Sequence, residues 1–393
     1  MKMKLIQINV TANYGSTGKI VEAIGQVAVS QGWESFVAYG RMSNHSSSEL
    51  IKVGTRIDPY VHYLYDRLFD REGLSSKRAT KALVMRIKAI SPDIIHLHNI
   101  HDHYLNYNIL FEYLNQTDIK VVWTFHDCWA FTGHCYHFVQ VDCMKWETQC
   151  RDCIQKHKFI DCSRENYQIK KTLFTSCENL TIVPCSEWMG NFVKKSFFKD
   201  KPIRVIHNGV DLSVFKVLPK YRLNDDKFRV LAISNVWTSS KGIDDVYRLR
   251  SLLSVDFVIT VVGLSGDQIK SLPKGVEGIP RTKNVYELVQ LYNKSDVLIN
   301  PTYADTFPTV NLEALACGIP VITYRTGGSP EAIDEKTGIV VEQGNVESLA
   351  QAIVGLKNNP LSSEDCRARA EEYFDKDKCF KKYIELYEEI LNK

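Results

Sequence analysis

Short runs of mostly apolar residues alternate with longer amphipathic segments along the chain. Residues 5–10, 92–98 and 121–125 are runs of this kind, and a polar loop follows each of them. Apolar runs of about four to eight residues are typical of strands that are covered on both faces of a parallel sheet. The pattern therefore predicts an α/β fold built from parallel strands and the helices that connect them.

The same pattern predicts the other elements. Further strands are expected at Phe36–Tyr39, Leu180–Pro184, Phe228–Ile233, Val258–Val262 and Val321–Tyr324. Helical periodicity predicts helices at Ile20–Ser30, about Tyr60–Phe69, about Lys77–Ile90, Thr309–Cys317, Ser363–Glu372 and Lys378–Leu391. Apart from its helical pieces, the segment 41–80 is polar and irregular.

Length and composition limit the class of protein. A chain of 393 residues exceeds one ordinary hydrophobic core, so two domains are expected. Hydrophobic and charged fractions of 44% and 24% are ordinary for a soluble enzyme, and a net charge of +3 is too small to indicate a nucleic-acid partner. No apolar run has the length of about 18 residues that a membrane span needs, and the N-terminal apolar stretch is too short for a signal peptide. We therefore expect a cytoplasmic protein.

The stretch Asp305–Glu331 combines a loop, a helix, a turn, a short strand and a second glycine turn. Asp305 and Glu313 are eight positions apart, the first in the loop and the second in the early turns of the helix. A loop that enters a helix at the end of a parallel strand is a place where α/β sheets bind anions and sugars. Two carboxylates placed in this way can face one polyhydroxylated ligand, although pairs at this spacing are more often solvated surface.

The sequence Glu313-Ala-Leu-Ala-Cys-Gly-Ile-Pro-Val, followed by the Gly327-Gly328 turn, resembles the donor-site signature of the retaining glycosyltransferases of family 4. The resemblance extends over essentially the whole chain, including Asn208-Gly-Val-Asp211 and Phe215. It implies the GT-B fold, in which two Rossmann-like domains face each other across a cleft. The implied domains are an acceptor-side domain at 1–203 with a cysteine-rich insertion at 128–162, a nucleotide-sugar domain at 204–372, and a final helix at 373–393 that packs back on the first domain.

The resemblance also assigns candidate site residues. It implies that Glu313 binds the ribose hydroxyls of the donor and that Asp305 contacts the donor sugar. Lys241 stands beside a glycine at a helix start, where the helix dipole and a point charge together suit a diphosphate. The remaining residues implied to contact the donor are Gly15, Gly18, Thr306, Phe307 and Thr309. Lys19, beside the first glycine loop, is either a further contact or a solvated charge.

Three positions depart from the family pattern. Asp305 replaces the usual Glu, Pro308 has no N–H to offer a sugar or phosphate, and Val236 stands where an Arg is usual. These departures imply an altered sugar pocket, with Arg325 or Lys19 as possible replacements for the missing cation. They also keep open two alternatives to a transferase, a sugar-nucleotide epimerase with the same fold and a non-catalytic protein that binds a nucleotide sugar or a glycan.

Two histidines lie at the ends of predicted strands. His98 ends the strand at 92–98 and His126 follows the strand at 121–125, so both are expected at the same edge of the sheet. His96, His101 and His103 are near them in sequence, and polar lining is a better interpretation of the group than a metal site. His126 resembles the histidine of the family's active cleft, which makes it the candidate catalytic residue on the acceptor side, with His98 beside it.

Seven of the eleven cysteines lie between Cys128 and Cys177. Cys135, Cys143, Cys150 and Cys153 end in a C-x2-C motif, and four thiolates suit a structural Zn²⁺ in a reducing compartment. The first two spacings are longer than in common zinc motifs. Substitute ligands are His134, His137, Cys128 and Cys162, and unligated reduced thiols are the simpler alternative.

The segment 188–201 interleaves lysines with aromatic residues. Such a segment can lie on an anionic membrane surface, or it can be an ordinary packed helix with a solvated basic side.

The resemblance implies an enzyme that transfers a sugar from a nucleotide-sugar donor to a glycan or lipid-linked acceptor with retention of configuration. It further implies that no catalytic metal is needed and that the setting is the synthesis of bacterial surface polysaccharide, with the inner face of the cell membrane as a candidate location.

Overall fold

The structure is a computed structural model that describes residues 2–155, 160–222 and 225–393. The chain forms two compact units, the first from Met1–His207 together with Phe380–Lys393 and the second from Asn208–Cys379. The units thus divide at residues 207–208 and 379–380, where the sequence analysis expected 203–204 and 372–373.

A six-stranded parallel sheet forms the centre of the first unit, in the order β3-β2-β1-β4-β5-β6. Its strands are β1 (Lys4–Asn9), β2 (Glu34–Tyr39), β3 (Glu49–Lys52), β4 (Ile94–Leu97), β5 (Lys120–Phe125) and β6 (Leu180–Pro184). Strands β4 and β6 are buried along their whole length, as expected for continuous apolar runs in a sheet that is covered on both faces. The strand order reverses between β1 and β4, so the loops that follow these two strands lie side by side.

The helices of the first unit are α1 (Gly15–Ser30), α2 (Asp58–Phe69), α3 (Lys77–Ile90), α4 (Tyr107–Leu114), α5 (Ser163–Thr175) and α6 (Glu187–Val193). Two sequence predictions need correction here. Helix α1 begins at Gly15 and not at Ile20, because the small residues before Ile20 join its first turns. The polar segment 41–80 contains strand β3, whose four residues at the edge of the sheet are too short and too polar a run to predict a strand.

The second unit repeats this design with the sheet order β12-β11-β10-β7-β8-β9, again entirely parallel. Its strands are β7 (Phe228–Ile233), β8 (Phe257–Val262), β9 (Val276–Ile279), β10 (Val297–Asn300), β11 (Val321–Tyr324) and β12 (Gly338–Val341). Its helices are α7 (Ile243–Leu252), α8 (Gly266–Lys270), α9 (Val285–Lys294), α10 (Thr309–Ala316), α11 (Val346–Asn358) and α12 (Ser363–Tyr373). The strand order reverses between β7 and β10.

The last helix, α13 (Lys376–Leu391), begins in the second unit and completes the core of the first. Tyr383 and Tyr387 are buried on this helix against strands of the first sheet. The Tyr387 hydroxyl donates to His96 Nδ1 (2.6 Å), His96 Nε2 donates to Thr124 Oγ1 (2.8 Å), and Thr124 Oγ1 donates to the Tyr383 hydroxyl (3.1 Å). Both ring nitrogens of His96 are thus hydrogen-bonded, and burial lowers the pKa of His96 well below its ordinary value, so His96 is a neutral structural residue.

No helix in the described part of the chain is both long enough and apolar enough to cross a membrane.

We expect Tyr387→Ala to lower the free energy of unfolding by about 3 kcal/mol or more, because it opens a cavity in the first unit and removes the hydrogen bond to His96. Tyr387→Phe keeps the ring and should cost about 1 kcal/mol. Tyr373→Ala, at a residue that is 51% exposed, is the control and should change stability by less than about 0.5 kcal/mol. Thermal and urea unfolding measure these differences, and equal stability of Tyr387→Ala and wild type would contradict the packing of α13.

Candidate functional site

The second unit brings together a lysine and an aspartate from loops that are far apart in sequence. Lys241 lies in the loop after β7 and Asp305 in the loop after β10, and these are the two neighbouring strands at which the sheet order reverses. Lys241 Nζ lies 2.8 Å from Asp305 Oδ2 and donates to the Ala304 carbonyl at 3.1 Å. Both side chains keep part of their surface exposed, so the pair is accessible to a ligand.

Glycines allow the loops around this pair to approach closely. Gly242 has φ +77°, and a Cβ atom there would lie 2.0 Å from the Pro301 carbonyl oxygen. Gly327 has φ +56°, and its Cβ would lie 1.6 Å from the Asp305 carbonyl oxygen. No side chain fits at either distance, so these two glycines fix the position of the loops that carry Lys241 and Asp305.

Glu313 lies in the second turn of α10, which begins directly after Pro308. The Tyr292 hydroxyl donates to Glu313 Oε2 at 2.8 Å from the neighbouring helix α9. Burial, reinforced by the Glu313 charge, raises the pKa of Tyr292 well above its ordinary value, so this hydroxyl remains a donor. The bond orients one carboxylate oxygen of a partly exposed Glu313.

The other residues predicted for this site have different surroundings. Thr306 and Phe307 are 7% and 4% exposed, and the Phe307 ring lies 5.9 Å from the Phe374 ring. These two side chains therefore support the loop from inside, and their contact with a donor stays a prediction. Thr309 is partly exposed at the start of α10. Val236, in the loop after β7, is 67% exposed.

His98 and His126 lie together at the carboxyl ends of β4 and β5. His98 Nδ1 lies 3.1 Å from His126 Nε2, and the two rings stack with an interplanar angle of 13°. On its other side His98 Nε2 lies 3.1 Å from Gln7 Oε1, while Gln7 Nε2 donates to the Val21 carbonyl. The prediction that the two histidines share one edge of the sheet is thus met by a direct contact.

The hydrogen bonds define the protonation of this pair. Burial lowers the pKa of His98 well below its ordinary value, and burial lowers the pKa of His126 to about 4, so both rings are neutral at pH 7. Gln7 Oε1 can only accept, so His98 Nε2 carries the hydrogen and His98 Nδ1 accepts from His126 Nε2. The lone pair of His126 therefore lies on Nδ1, the nitrogen suited to accept a proton or a hydrogen bond.

An ion pair beside His126 was not predicted from the sequence. His101 Nε2 lies 2.8 Å from Asp127 Oδ2, and Asp127 Oδ1 accepts the N–H of Trp129 at 2.9 Å. Burial opposes the charge of both groups, but their mutual attraction and hydrogen bond outweigh it. The pKa of His101 is raised and that of Asp127 is lowered to about 2. The His126-Asp127 dipeptide was the available signal, since an acid after a strand-end histidine lies at the same edge of the sheet.

Gly15 and Gly18 lie in the first turns of α1, next to the end of β1. A Cβ at Gly18 would lie 2.7 Å from Thr11 Oγ1, whereas a Cβ at Gly15 would meet open space. Asn9 Nδ2 donates to the Thr11 carbonyl, and Asn9 Oδ1 accepts the N–H of Asn99 at 3.2 Å. These bonds join the loops after β1 and β4. Gly18 is needed for close packing there, and its contact with a diphosphate stays a prediction, as does that of Gly15.

The four cysteines predicted to bind a metal are not equivalent. Cys135 and Cys153 lie together with His134, and the three ligand atoms are within 4.8 Å of one another. Cys150 is buried and Cys143 is partly exposed; both lie outside this closest group. The surrounding insertion is anchored by aromatic packing, because Phe131, Phe138 and Trp146 are buried in the core.

Comparison with known proteins identifies the family. The sequence profile described as Glycosyltransferase Family 4 matches residues 18–214, half of the chain, and the profile described as Glycosyl transferases group 1 matches residues 227–359. The chain belongs to glycosyltransferase family 4.

Relatives support this assignment over the full length. The Escherichia coli (strain K12) protein WcaC, whose name assigns it to colanic acid biosynthesis as a glycosyl transferase, is 23% identical over 99% of this chain and 100% of its own. Among solved structures, sucrose-phosphate synthase from Thermosynechococcus elongatus has a TM-score of 0.78 at 18% identity and covers 100% of both chains. HepE from Anabaena in complex with UDP-glucose has a TM-score of 0.66 at 14% identity, over 98% of this chain and 100% of its own.

These matches confirm the expected fold class, the GT-B fold with two parallel α/β sheets, and the expected enzyme class, a glycosyltransferase. A retaining mechanism fits family 4 as a whole. This family 4 glycosyltransferase brings together the pair Lys241–Asp305 at the switch point of its second unit and the pair His98–His126, among other polar groups, at the strand ends of its first.

The His101–Asp127 pair predicts a pH-dependent stability of this glycosyltransferase. The raised pKa of His101 stabilises the folded state below about pH 6.5, and this stabilisation is lost as the pH rises through the folded pKa. The lowered pKa of Asp127 stabilises the folded state above about pH 3.8, and this stabilisation is lost as the pH falls towards 2. Asp127→Asn should therefore lower stability by about 2 kcal/mol, and most strongly between about pH 4 and 6.5.

Melting temperatures of wild type and Asp127→Asn across this pH range, with NMR titration of the histidine rings, measure the effect. The variant should also lower the pKa of His101. Asp118→Asn, at an exposed position, is the control and should give a small difference that does not vary with pH. A wild-type His101 that titrates below 6.5 would contradict the ion pair.

Proposed function

We propose that this glycosyltransferase transfers a sugar from a nucleotide-sugar donor to a glycan or lipid-linked acceptor in the synthesis of bacterial surface polysaccharide. The observation that carries the proposal is the Lys241–Asp305 pair, 2.8 Å apart at the point where the strand order of the second sheet reverses. Ligands of open α/β sheets bind at such points. The named role of WcaC and the UDP-glucose bound by HepE support the polysaccharide setting and the type of donor.

The donor binds through Glu313 and Lys241. The carboxylate of Glu313, oriented by Tyr292, accepts hydrogen bonds from the ribose hydroxyls. Lys241 releases Asp305 to a sugar hydroxyl and turns its ammonium group to the diphosphate. As the bond between the sugar and the diphosphate breaks, negative charge grows on the leaving group, and the lysine stabilises that charge. This arrangement supplies a cation without a divalent metal, so we infer a transfer that needs none.

Lys241 also has to compensate for the departures from the family pattern. Val236 offers no charge at the exposed position where the family usually has Arg. Arg325 Nε donates to Glu342 at 2.7 Å in an exposed pair, which makes it a poor substitute. Lys19 is exposed on α1 of the first unit. Among these cations, Lys241 alone is already paired with a candidate site carboxylate. Lys241 therefore supplies most of the positive charge that neutralises the donor diphosphate.

The acceptor binds beside His126. Its neutral ring offers a lone pair on Nδ1, held in place because His98 accepts from Nε2. The Nδ1 atom can accept a hydrogen bond from the attacking hydroxyl of the acceptor and orient it. A neutral ring is needed for this role. Burial lowers the pKa of His126 to about 4, so the ring is neutral above about pH 4.

A panel of UDP, GDP and ADP and their glucose conjugates tests donor binding by thermal shift, because a ligand that binds the folded protein raises its apparent stability. We expect Glu313→Gln to weaken binding of the preferred nucleotide about tenfold, and Lys241→Ala to lower turnover about 100-fold or more. Lys270→Ala removes an exposed lysine that pairs with Asp267 at 3.1 Å in the same unit and should change neither quantity.

Three outcomes would overturn the proposal. Wild-type turnover by Lys241→Ala would remove the role of the lysine. Release of sugar from the donor without transfer to an acceptor would favour an epimerase, and nucleotide-sugar binding without turnover under all acceptor conditions would favour a non-catalytic binding protein.

A membrane surface is the second partner that we infer, but through a different segment from the one the sequence indicated. In the segment 188–201 the aromatic rings of Trp188, Phe192 and Phe197 pack against the core, and the exposed residues are all polar or charged: Asn191, Lys194, Lys195, Lys199 and Asp200. Helix α2 is the opposite case. It buries His62 and Asp66 and turns its apolar residues outward; those more than one-third exposed are Tyr60, Val61, Tyr63, Leu64, Tyr65, Leu68 and Phe69.

Buried polar contacts fix α2 in this orientation. His62 Nε2 accepts the N–H of Gly73 at 3.0 Å, and Asp66 Oδ2 accepts from His103 at 3.1 Å. A cavity of about 460 Å³ borders the helix, and its lining includes the cations Arg71, Lys77 and Lys81 together with Tyr65 and Glu112. An exposed apolar helix beside a cationic cavity fits a bilayer with anionic headgroups, and a lipid-linked acceptor would be found there.

Cosedimentation with vesicles of mixed phosphatidylglycerol and phosphatidylcholine tests this partner. The triple variant Tyr60→Ser, Leu64→Ser, Leu68→Ser changes three exposed residues at helical spacing and should weaken binding about tenfold or more. The matched control Met85→Ser, Val255→Ser, Tyr286→Ser changes three residues that are 65%, 82% and 68% exposed elsewhere and should bind as wild type. Equal binding of both variants, or a wild-type dimer that the α2 variant abolishes, would overturn the membrane assignment.

A further inference from the structure

The cluster of His134, Cys135 and Cys153 lies in the insertion that follows His126 and takes no part in the proposed transfer. We propose that these three residues, with Cys150 as the fourth ligand, bind a structural Zn²⁺. The inference is independent of the proposed function. It replaces Cys143 of the four-cysteine set expected from the sequence with His134.

The separation of the two sulfur atoms is the first support. Tetrahedral zinc with Zn–S bonds of about 2.3 Å holds two thiolate sulfurs about 3.8 Å apart. Cys135 Sγ and Cys153 Sγ are 3.8 Å apart. A disulfide would require about 2.05 Å, so the pair has the spacing of two ligands on one ion and not that of a covalent bridge. His134 Nε2 lies 3.0 Å from Cys153 Sγ, and all three ligand atoms lie within 4.8 Å of one another.

The surroundings of His134 are those of a zinc ligand. Histidines that bind zinc through one nitrogen usually donate the other N–H to a carboxylate, which fixes the ring and its tautomer. His134 Nδ1 donates to Asp70 Oδ2 at 3.2 Å, and Asp70 is only 1% exposed. Asp70 Oδ2 in turn accepts the N–H of Cys162 at 2.7 Å. The ring is therefore held with Nε2 turned to the two sulfurs.

Cys150 is the better fourth ligand of the two remaining cysteines. It forms the C-x2-C motif with Cys153 and is buried, whereas Cys143 is partly exposed. Its Sγ accepts the N–H of Gly133 at 3.2 Å, which ties it to the backbone directly before His134. Backbone N–H groups that donate to sulfur commonly stabilise zinc thiolates. With the Cys150 thiolate as the fourth ligand, the ion is bound by three sulfurs and one nitrogen.

A site with four protein ligands has no open position, so the metal is structural. Its effect is local, because the aromatic core already anchors the middle of the insertion. Zinc joins residues 134–135 of the insertion to residues 150–153. Lys170 Nζ holds the stretch between His126 and the cluster by donating to the carbonyls of Trp129 and Thr132, at 2.8 and 3.2 Å. The metal and this lysine together order the segment that follows the candidate catalytic histidine.

Metal analysis of untagged protein tests the proposal without any assay of transfer. We expect about one zinc per chain, lost in Cys135→Ser with Cys153→Ser and bound at least tenfold more weakly in His134→Ala. Cys162→Ser is the matched control, since it removes a partly exposed thiol of the same segment that is outside the ligand set, and it should keep the metal. Cys143→Ser should keep it as well.

Cobalt substitution gives a measurement that does not depend on folding of the variants. Thiolate-to-cobalt absorption of the wild type should correspond to three sulfurs and one nitrogen, and chelation should expose residues 133–155 to proteases. Wild-type protein without zinc, with Cys153 rapidly alkylated, would overturn the proposal in favour of a reactive thiolate paired with His134. Zinc that persists in His134→Ala but is lost in Cys143→Ser would overturn the histidine ligand in favour of four sulfurs.

Discussion

Both units of this glycosyltransferase depend on one constraint, the saturation of backbone hydrogen bonds inside a parallel sheet. Groups within the strands are committed to their neighbours, so a ligand can only be met by loops at the strand ends. Two loops come together where the strand order reverses, and in each unit polar side chains from those two loops contact each other. Lys241 meets Asp305 beside β7 and β10, and Asn9 meets Asn99 beside β1 and β4.

The polar groups at these places are already paired within the protein. Lys241 is bound to Asp305, Glu313 to Tyr292, and His126 to His98. Such pairing reduces the cost of holding charged and polar side chains in partly buried loops. It also sets a requirement for substrates. A ligand that breaks one of these pairs has to replace the lost contact with hydrogen bonds or ionic interactions of comparable strength.

The sequence was sufficient for the features that depend on local pattern. The apolar runs predicted most of the strands, the motif around Glu313 indicated the family, and the strand-end positions of His98 and His126 placed both at one edge of the sheet, where the structure shows them in contact. Features that depend on distant residues could not be found in this way. The Asp70–His134 contact joins the end of α2 to the cysteine insertion, 64 positions apart, and the outward apolar face of α2 appears only when its buried polar residues are known.

Helix α13 has a consequence for the order in which the protein is made. The first unit contains residues 1–207, but the tyrosines that close its core lie beyond residue 380. Translation of the intervening second unit takes roughly 10–35 s at 5–20 residues per second. During this interval the surface later covered by Tyr383 and Tyr387 is exposed on the nascent chain, with His96 lacking its final hydrogen bond. The N-terminal unit is thus synthesised first, but its core is completed last. A chain whose translation stops before Tyr383 is released with that surface accessible to chaperones and proteases.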